Sequence, residues 1–167
     1  KKRNENLQKE TILLQQNMAE YSQNMQGKLK TQLMSFDVMA EENTRLRNRE
    51  EFLCKLLIPY IKPLDSLIKS PKQLTIVQWA EVEENINKLY NNFTLRLKEQ
   101  FPSFTNNDLQ VCCLIKLRIT VSDIAKILNI SPASVSKRKQ RIKEQIIKEL
   151  GDNFDKSQLI DIWIWEY

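Results

Sequence analysis

Three pieces of one stretch decide the fold: Thr105-Asn-Asn-Asp108, Asp123-Ile-Ala-Lys-Ile-Leu128 and Ser131-Pro-Ala-Ser-Val-Ser-Lys-Arg-Lys-Gln-Arg-Ile142. Thr105 and Asp108 stand three apart and form a box that satisfies free N–H groups at a helix start. On the helix that follows, Leu109, Cys112, Cys113 and Lys116 recur at three and four residues. In the second piece Ile124, Ile127 and Leu128 make one apolar stripe, and Ala125 is small enough for another helix to approach closely. Asn129 can take the left-handed backbone that ends a helix sharply. Ile130 then plugs the core, and Ser131 caps the next helix with Pro132 at its first position. The spacing predicts a helix-turn-helix.

The third helix, read from Ser134 to Lys148, carries Lys137, Arg138, Lys139, Arg141, Lys143 and Lys148 against the acid Glu144. That balance suits a helix lying against phosphates. At about 100° per residue Val135, Ile142 and Ile146 share one side, which must be the buried one. Ala133, Ser136, Lys137, Gln140 and Arg141 lie opposite. Ser136, Lys137 and Gln140 are therefore the candidates for reading base edges, and Ser134, Arg138, Lys139 and Arg141 for meeting phosphate. The competing reading of the same charges is a solvated basic face.

Residues 104–150 resemble the LuxR/GerE-type DNA-binding domain. The likeness rests on the Thr105-capped scaffold helix, the pair Ile124-Ala125, the turn Leu128-Asn-Ile-Ser131 and Ser134-Val135 at the start of the recognition helix. It covers under a third of the chain. It implies that the residues just after Val135 and one turn later read the major groove, and these are again Ser136, Lys137 and Gln140. The chain departs from the pattern at three places. Arg118 stands where a Gly usually turns the chain, Asp123 where a Glu usually precedes Ile-Ala, and Arg138 where a His is common. The fourth region of bacterial sigma factors has a similar three-helix core, and the preceding residues choose between the two.

From Trp79 through Leu89, Tyr90, Phe93, Leu97 and Phe101-Pro-Ser-Phe104, the chain resembles the segment leading into the helix-turn-helix of certain membrane-tethered bacterial regulators. Those proteins carry tetratricopeptide repeats, a transmembrane helix and a cytoplasmic coiled coil. The resemblance implies double-stranded DNA as partner, with RNA polymerase as a further one, and upstream sensor and membrane segments in the same protein. It also implies a cytoplasmic location, tethered to the inner membrane through a segment upstream of Lys1. The basic start Lys1-Lys-Arg3 suits a position just inside a positively flanked span, and an arbitrary start of the chain explains it equally.

The first 57 residues read as one long helix. Leu7, Thr11, Leu14, Met18, Tyr21 and Met25 alternate spacings of four and three. Leu29, Gln32, Phe36, Met39, Asn43, Leu46, Glu50, Leu53 and Leu57 resume the alternation after a shift of four, the mark of a stutter in a coiled coil. Such a helix, on the order of 80 Å long, carries too narrow an apolar stripe to be stable alone. The stripe predicts a homodimer, with Leu14, Met18, Tyr21, Met25, Phe36, Met39, Asn43, Leu46 and Leu53 at the interface. Asn43 at a core position favours a parallel pair in fixed register. A break at Gly27 into a helical hairpin is the alternative.

Beyond it, Glu51 to Ile68 resembles the Phe-Leu, Pro-Leu frame of the dimerisation helix of sensor histidine kinases, with Ile58 where the phosphorylated His would stand. The simpler reading is a helix kinked at Pro59 and Pro63, followed by a turn at Ser70-Pro-Lys-Gln73. Thr75 then begins a helix running to about Gln100, in which Val77, Val82, Ile86, Leu89, Phe93 and Leu97 require burial. After Gly151, read as a left-handed cap, Phe154, Leu159, Ile160, Ile162, Trp163, Ile164 and Trp165 crowd a tail. The tail is expected to be buried, with a short helix from Lys156; an exposed docking patch is the alternative.

Composition sets the outer limits. With 167 residues, 41% hydrophobic and 28% charged, and only two glycines and five prolines, the chain reads as a folded, all-helical protein. No run of eighteen apolar residues spans a membrane. The net charge of +5 is modest, and its concentration near the C-terminal helices matters more than its size. Cys54, Cys112 and Cys113 fit a reducing compartment and read as packing residues. There is no histidine, hence no commonest general base and no phosphorylated histidine. Neither an enzyme, a metal site nor a cofactor is implied.

The sequence thus predicts an all-α protein: a dimeric coiled coil over 1–57, a helical connector over 58–103, a helix-turn-helix domain over 104–150 and an aromatic tail over 151–167. The expected function is transcriptional regulation through duplex DNA. A coiled-coil adaptor that binds protein, or a degenerate kinase-like signalling piece without catalysis, are the rival readings.

Overall fold

The computed structural model describes the backbone from Lys2 and the side chains from Lys9. The side chains of the basic start Lys1-Lys-Arg3 and of Leu7 lie outside the described residues. All regular structure among these residues is helical: α1 (Lys2–Leu57), a 3-10 turn (Ile58–Tyr60), α2 (Lys62–Lys69), α3 (Ile76–Leu89), α4 (Phe93–Gln100), α5 (Asn106–Lys116), α6 (Val121–Leu128), α7 (Pro132–Leu150), a second 3-10 turn (Gly151–Asn153) and α8 (Ile160–Glu166). No helix among them is long and apolar enough to cross a membrane. The chain divides into two compact units, Lys1–Arg49 and Glu50–Tyr167.

The first unit is helix throughout its described length. Gly27 does not break it, and Thr31 Oγ1 donates to the Gly27 carbonyl at 3.0 Å as in any continuous helix. The hairpin alternative is therefore excluded. Leu14, Met18, Tyr21, Met25, Phe36, Met39, Asn43 and Leu46 are all exposed on this helix, and Leu53 is exposed further along α1, in the second unit. Ile12, Leu13, Leu33, Met34 and Val38 are exposed as well; at about 100° per residue Leu33 borders the stripe and the other four lie away from it.

The second unit gathers its core from every helix it contains. Leu64, Ile86, Phe93, Leu97, Phe101, Leu114, Ile124, Val135, Ile142, Ile146 and Ile164 are fully buried in one cluster. The last turns of α1 join it through Cys54, whose thiol donates to the Leu89 carbonyl at 3.4 Å. All three cysteines are free and buried.

Four expectations are corrected by the structure. The prolines end α1 instead of kinking it: Pro59 sits in the 3-10 turn and Pro63 in the first turn of α2, where its missing N–H is not needed. The helix expected from Thr75 to Gln100 is two helices. Thr75 does cap α3 with a reciprocal box to Gln78, but Asn91 and Asn92 both turn left-handed and α4 starts afresh. Buried Thr94 holds that corner, accepting from Asn87 Nδ2 at 2.8 Å and donating to the Glu83 carboxylate at 2.9 Å. The last helix begins at Ile160, not Lys156, and Gly151 takes φ 56, ψ −125, a region open to glycine but outside the left-handed helical one.

Candidate nucleic-acid interface

Side-chain caps set the starts of α5, α6 and α7. Thr105 accepts from the Asp108 N–H, and the Asp108 carboxylate in turn accepts from Thr105 N and Oγ1 at 2.9 and 2.6 Å. Thr120, overlooked in the sequence, caps α6 in the same way by accepting from the Asp123 N–H. Asn129 ends α6 in the left-handed region at φ 51, and Ser131 caps α7 with Pro132 in its first turn. Two residues thus lie between α6 and the cap of α7. Ala125 is buried where α6 meets α7, and Val135, Ile142 and Ile146 are completely buried along the inner side of α7.

The outer side of α7 carries Ala133, Ser134, Ser136, Lys137 and Gln140, all exposed. Lys137 has no carboxylate partner among the described residues. The Ser134 hydroxyl lies 2.8 Å from that of Ser131, and the Ser136 hydroxyl donates to the Pro132 carbonyl at 3.2 Å, leaving its lone pairs to accept. Gln140 donates through Nε2 to Glu144 at 2.9 Å, which leaves its side-chain oxygen outward-capable as an acceptor. The three base-reading candidates are therefore together on one open face.

Of the phosphate candidates, Ser134 shares that face, and the three basic ones differ in their surroundings. Arg138 is half-buried and has no carboxylate partner among the described residues. Lys139 lies 2.6 Å from the Asp161 carboxylate of α8, with its side chain only 16% exposed. Arg141 pairs with Asp108, whose side chain is fully buried at the start of α5. Lys143 donates to the carbonyls of Lys156 and Gln158, both at 2.9 Å. Lys139 and Arg141 thus each have a carboxylate partner inside the unit with which a phosphate competes, and the Arg141 side chain is still 51% exposed. Burial by itself raises the Asp108 carboxyl, but the Thr105 hydrogen bonds and the Arg141 guanidinium outweigh it and hold the group below its ordinary 3.8. A buried charge of this kind needs its partner, so Arg141 fixes α7 on α5.

No family model, curated protein or solved structure matches this chain.

The tail is part of the domain. Ile160, Ile164 and Phe154 are buried, whereas Leu159 and Ile162 are exposed, so its burial is selective. Trp165 Nε1 donates to the Ile115 carbonyl at 2.8 Å, and Lys116 Nζ donates to the carbonyls of Ile164 and Trp165 at 3.2 and 2.8 Å. The Lys116 ammonium also lies 5.1 Å from the centre of the Tyr90 ring and 5.4 Å from that of Phe93.

Burial first, then the charge of Arg96, lowers the Lys116 pKa from 10.5 to about 8. The folded protein thus gives up this proton before the unfolded chain does, and stability rises with pH between the two values. Urea titrations at pH 8 and 10 will show this rise in the wild type relative to Lys116→Met. An equal pH response in both proteins would contradict it.

Proposed function

We propose that the chain is a sequence-specific duplex-DNA-binding transcriptional regulator with a LuxR/GerE-like helix-turn-helix, in which α7 enters the major groove. One observation carries the reading: Ser136, Lys137 and Gln140 share the open side of a helix whose other side is sealed by Val135, Ile142 and Ile146. Lys and Gln can hydrogen-bond base edges, and hydroxyls serve either role. Arg138 and Ser134 flank the face and meet phosphate, along with the amides at the start of α7. With Lys139, Arg141 and Lys143 committed internally, half of the six cations counted on this helix serve the domain instead of DNA.

In this reading α1 pairs in parallel with α1 of a second copy, presenting two recognition helices to two half-sites. It passes a signal from sensor and membrane segments of the same protein, and RNA polymerase is a further partner. Membrane tethering upstream of Lys1 belongs to the same proposal. The exposed apolar stripe on α1 supports the pairing, since a lone helix of this length gains no tertiary packing.

The experiment is selection of bound fragments from random duplex DNA, followed by two variants. Lys137→Ala will cost about 1–3 kcal/mol on the selected site and relax the preference for it. Arg138→Ala will weaken selected and random sequences alike. Equal losses on all sequences for both variants would defeat the division of roles.

A further inference from the structure

Among the described residues, four other than glycine have positive φ: Asn91, Asn92, Asn129 and Arg118. Asparagine tolerates that region through its short polar side chain, whereas a long side chain such as arginine is disfavoured there. Arg118 adopts φ 58 in the turn joining α5 to α6, two residues before the Thr120 cap. Its guanidinium is fixed from two directions. It pairs with the Glu51 carboxylate near the end of α1, and it stacks 4.2 Å over the ring of Trp165 in α8. Glu51 is itself held by Lys55 at 2.9 Å.

The end of α1 has two distinct faces. Glu51, Cys54 and Ile58 meet the unit, with Cys54 buried and Ile58 packed against the core. Phe52, Leu53, Leu56 and Leu57, on the other side, are about half exposed or more. A movement of these turns therefore acts on the unit through the first face, and Glu51–Arg118 is the contact that ends in the helix-turn-helix itself.

We propose that Arg118 is a positioning residue: through its pairing with Glu51, the last turns of α1 set the start of α6 and hence the seat of α7. The inference deepens the proposed signalling role of α1 and rests on it. A half-exposed ion pair adds little to stability, so its place at a strained turn points to coupling.

Amide hydrogen exchange on the full chain tests this without DNA. The reporters are Ile119, whose N–H donates to the Leu114 carbonyl, and Asp123 and Ile124, whose N–H groups bond Thr120. In Glu51→Gln, these amides should exchange about fivefold faster or more, while those of Ile142 and Ile146 change less than about twofold. In an Arg118→Gly background, which relieves the turn and removes the link, Glu51→Gln should change nothing further. Unchanged reporters in Glu51→Gln, acceleration spread evenly over the unit, or the same acceleration in the Arg118→Gly background would each overturn the proposal. Duplex binding of the same proteins separates the two ideas: a wild type that fails to bind DNA contradicts the proposed function and leaves the exchange result to decide the coupling.

Discussion

Ile164→Asp will unfold the C-terminal unit, although it lies three residues from the last one in the sequence. Ile164 is completely buried in α8, beside the helix whose Lys116 and Ile115 bond the same tail. Truncating such a side chain to Ala typically costs about 2–5 kcal/mol, and an aspartate there adds an unpaired charge. For a unit of this size the melting temperature of Ile164→Ala should fall by roughly 10 °C or more, and Ile164→Asp should lose its cooperative transition. Leu159→Asp, on an exposed neighbour, should melt like the wild type. If both Ile164 variants melted like the wild type, the tail would be an appendage and not part of the core.

The full chain will have twice the mass of one copy in light scattering at micromolar concentration. Leu14, Met18, Tyr21, Met25, Phe36, Met39 and Leu46 each expose half or more of their surface along a helix that has no tertiary neighbour in its own unit. Burying each against a second copy is worth on the order of 1–3 kcal/mol. The double variant Met25→Asp, Met39→Asp puts charges into that seam in both copies, and should halve the mass. Because isolated helices gain no packing, it should also lose much of the helical circular dichroism contributed by residues 9–49. A monomeric wild type contradicts the account. A mass of three or four copies contradicts the paired version.

The starts and ends of α5, α6 and α7 were legible because their signals are local. Thr105, Asn129, Ser131 and Pro132 act on backbone groups within a few residues, so their chemistry can be read without knowing the fold. The cap at Thr120 carried the same signal, since Thr120 and Asp123 repeat the spacing of Thr105 and Asp108. The break between α3 and α4 was hidden by the apolar repeat, which continues from Ile86 and Leu89 to Phe93 and Leu97 across two left-handed asparagines. Asparagine visits that backbone at little cost, so the pair Asn91-Asn92 was the available warning.

The fate of the cations on α7 was not legible. Lys139 finds Asp161 22 residues away, and Arg141 finds Asp108 33 residues away. No periodicity within a helix reports such partners, because they depend on which elements pack together. Charge counted along α7 therefore overstated what faces outward. The apolar side chains Val135, Ile142 and Ile146 were placed correctly, since burial of one stripe follows from helical period alone.

The central claim, that the outer face of α7 binds duplex DNA, is tested most directly by titrating the full chain with labelled duplex at increasing salt. Counterion release predicts a log–log slope of roughly −0.9 per neutralised phosphate. The account predicts binding at low salt with a shallow slope, because Arg138 and few other cations of each copy are open to phosphate. It further predicts that Lys137→Ala lowers that binding without changing the melting temperature, as Lys137 is exposed and unpaired among the described residues. No binding of duplex at low salt, or binding indifferent to Lys137, would contradict it.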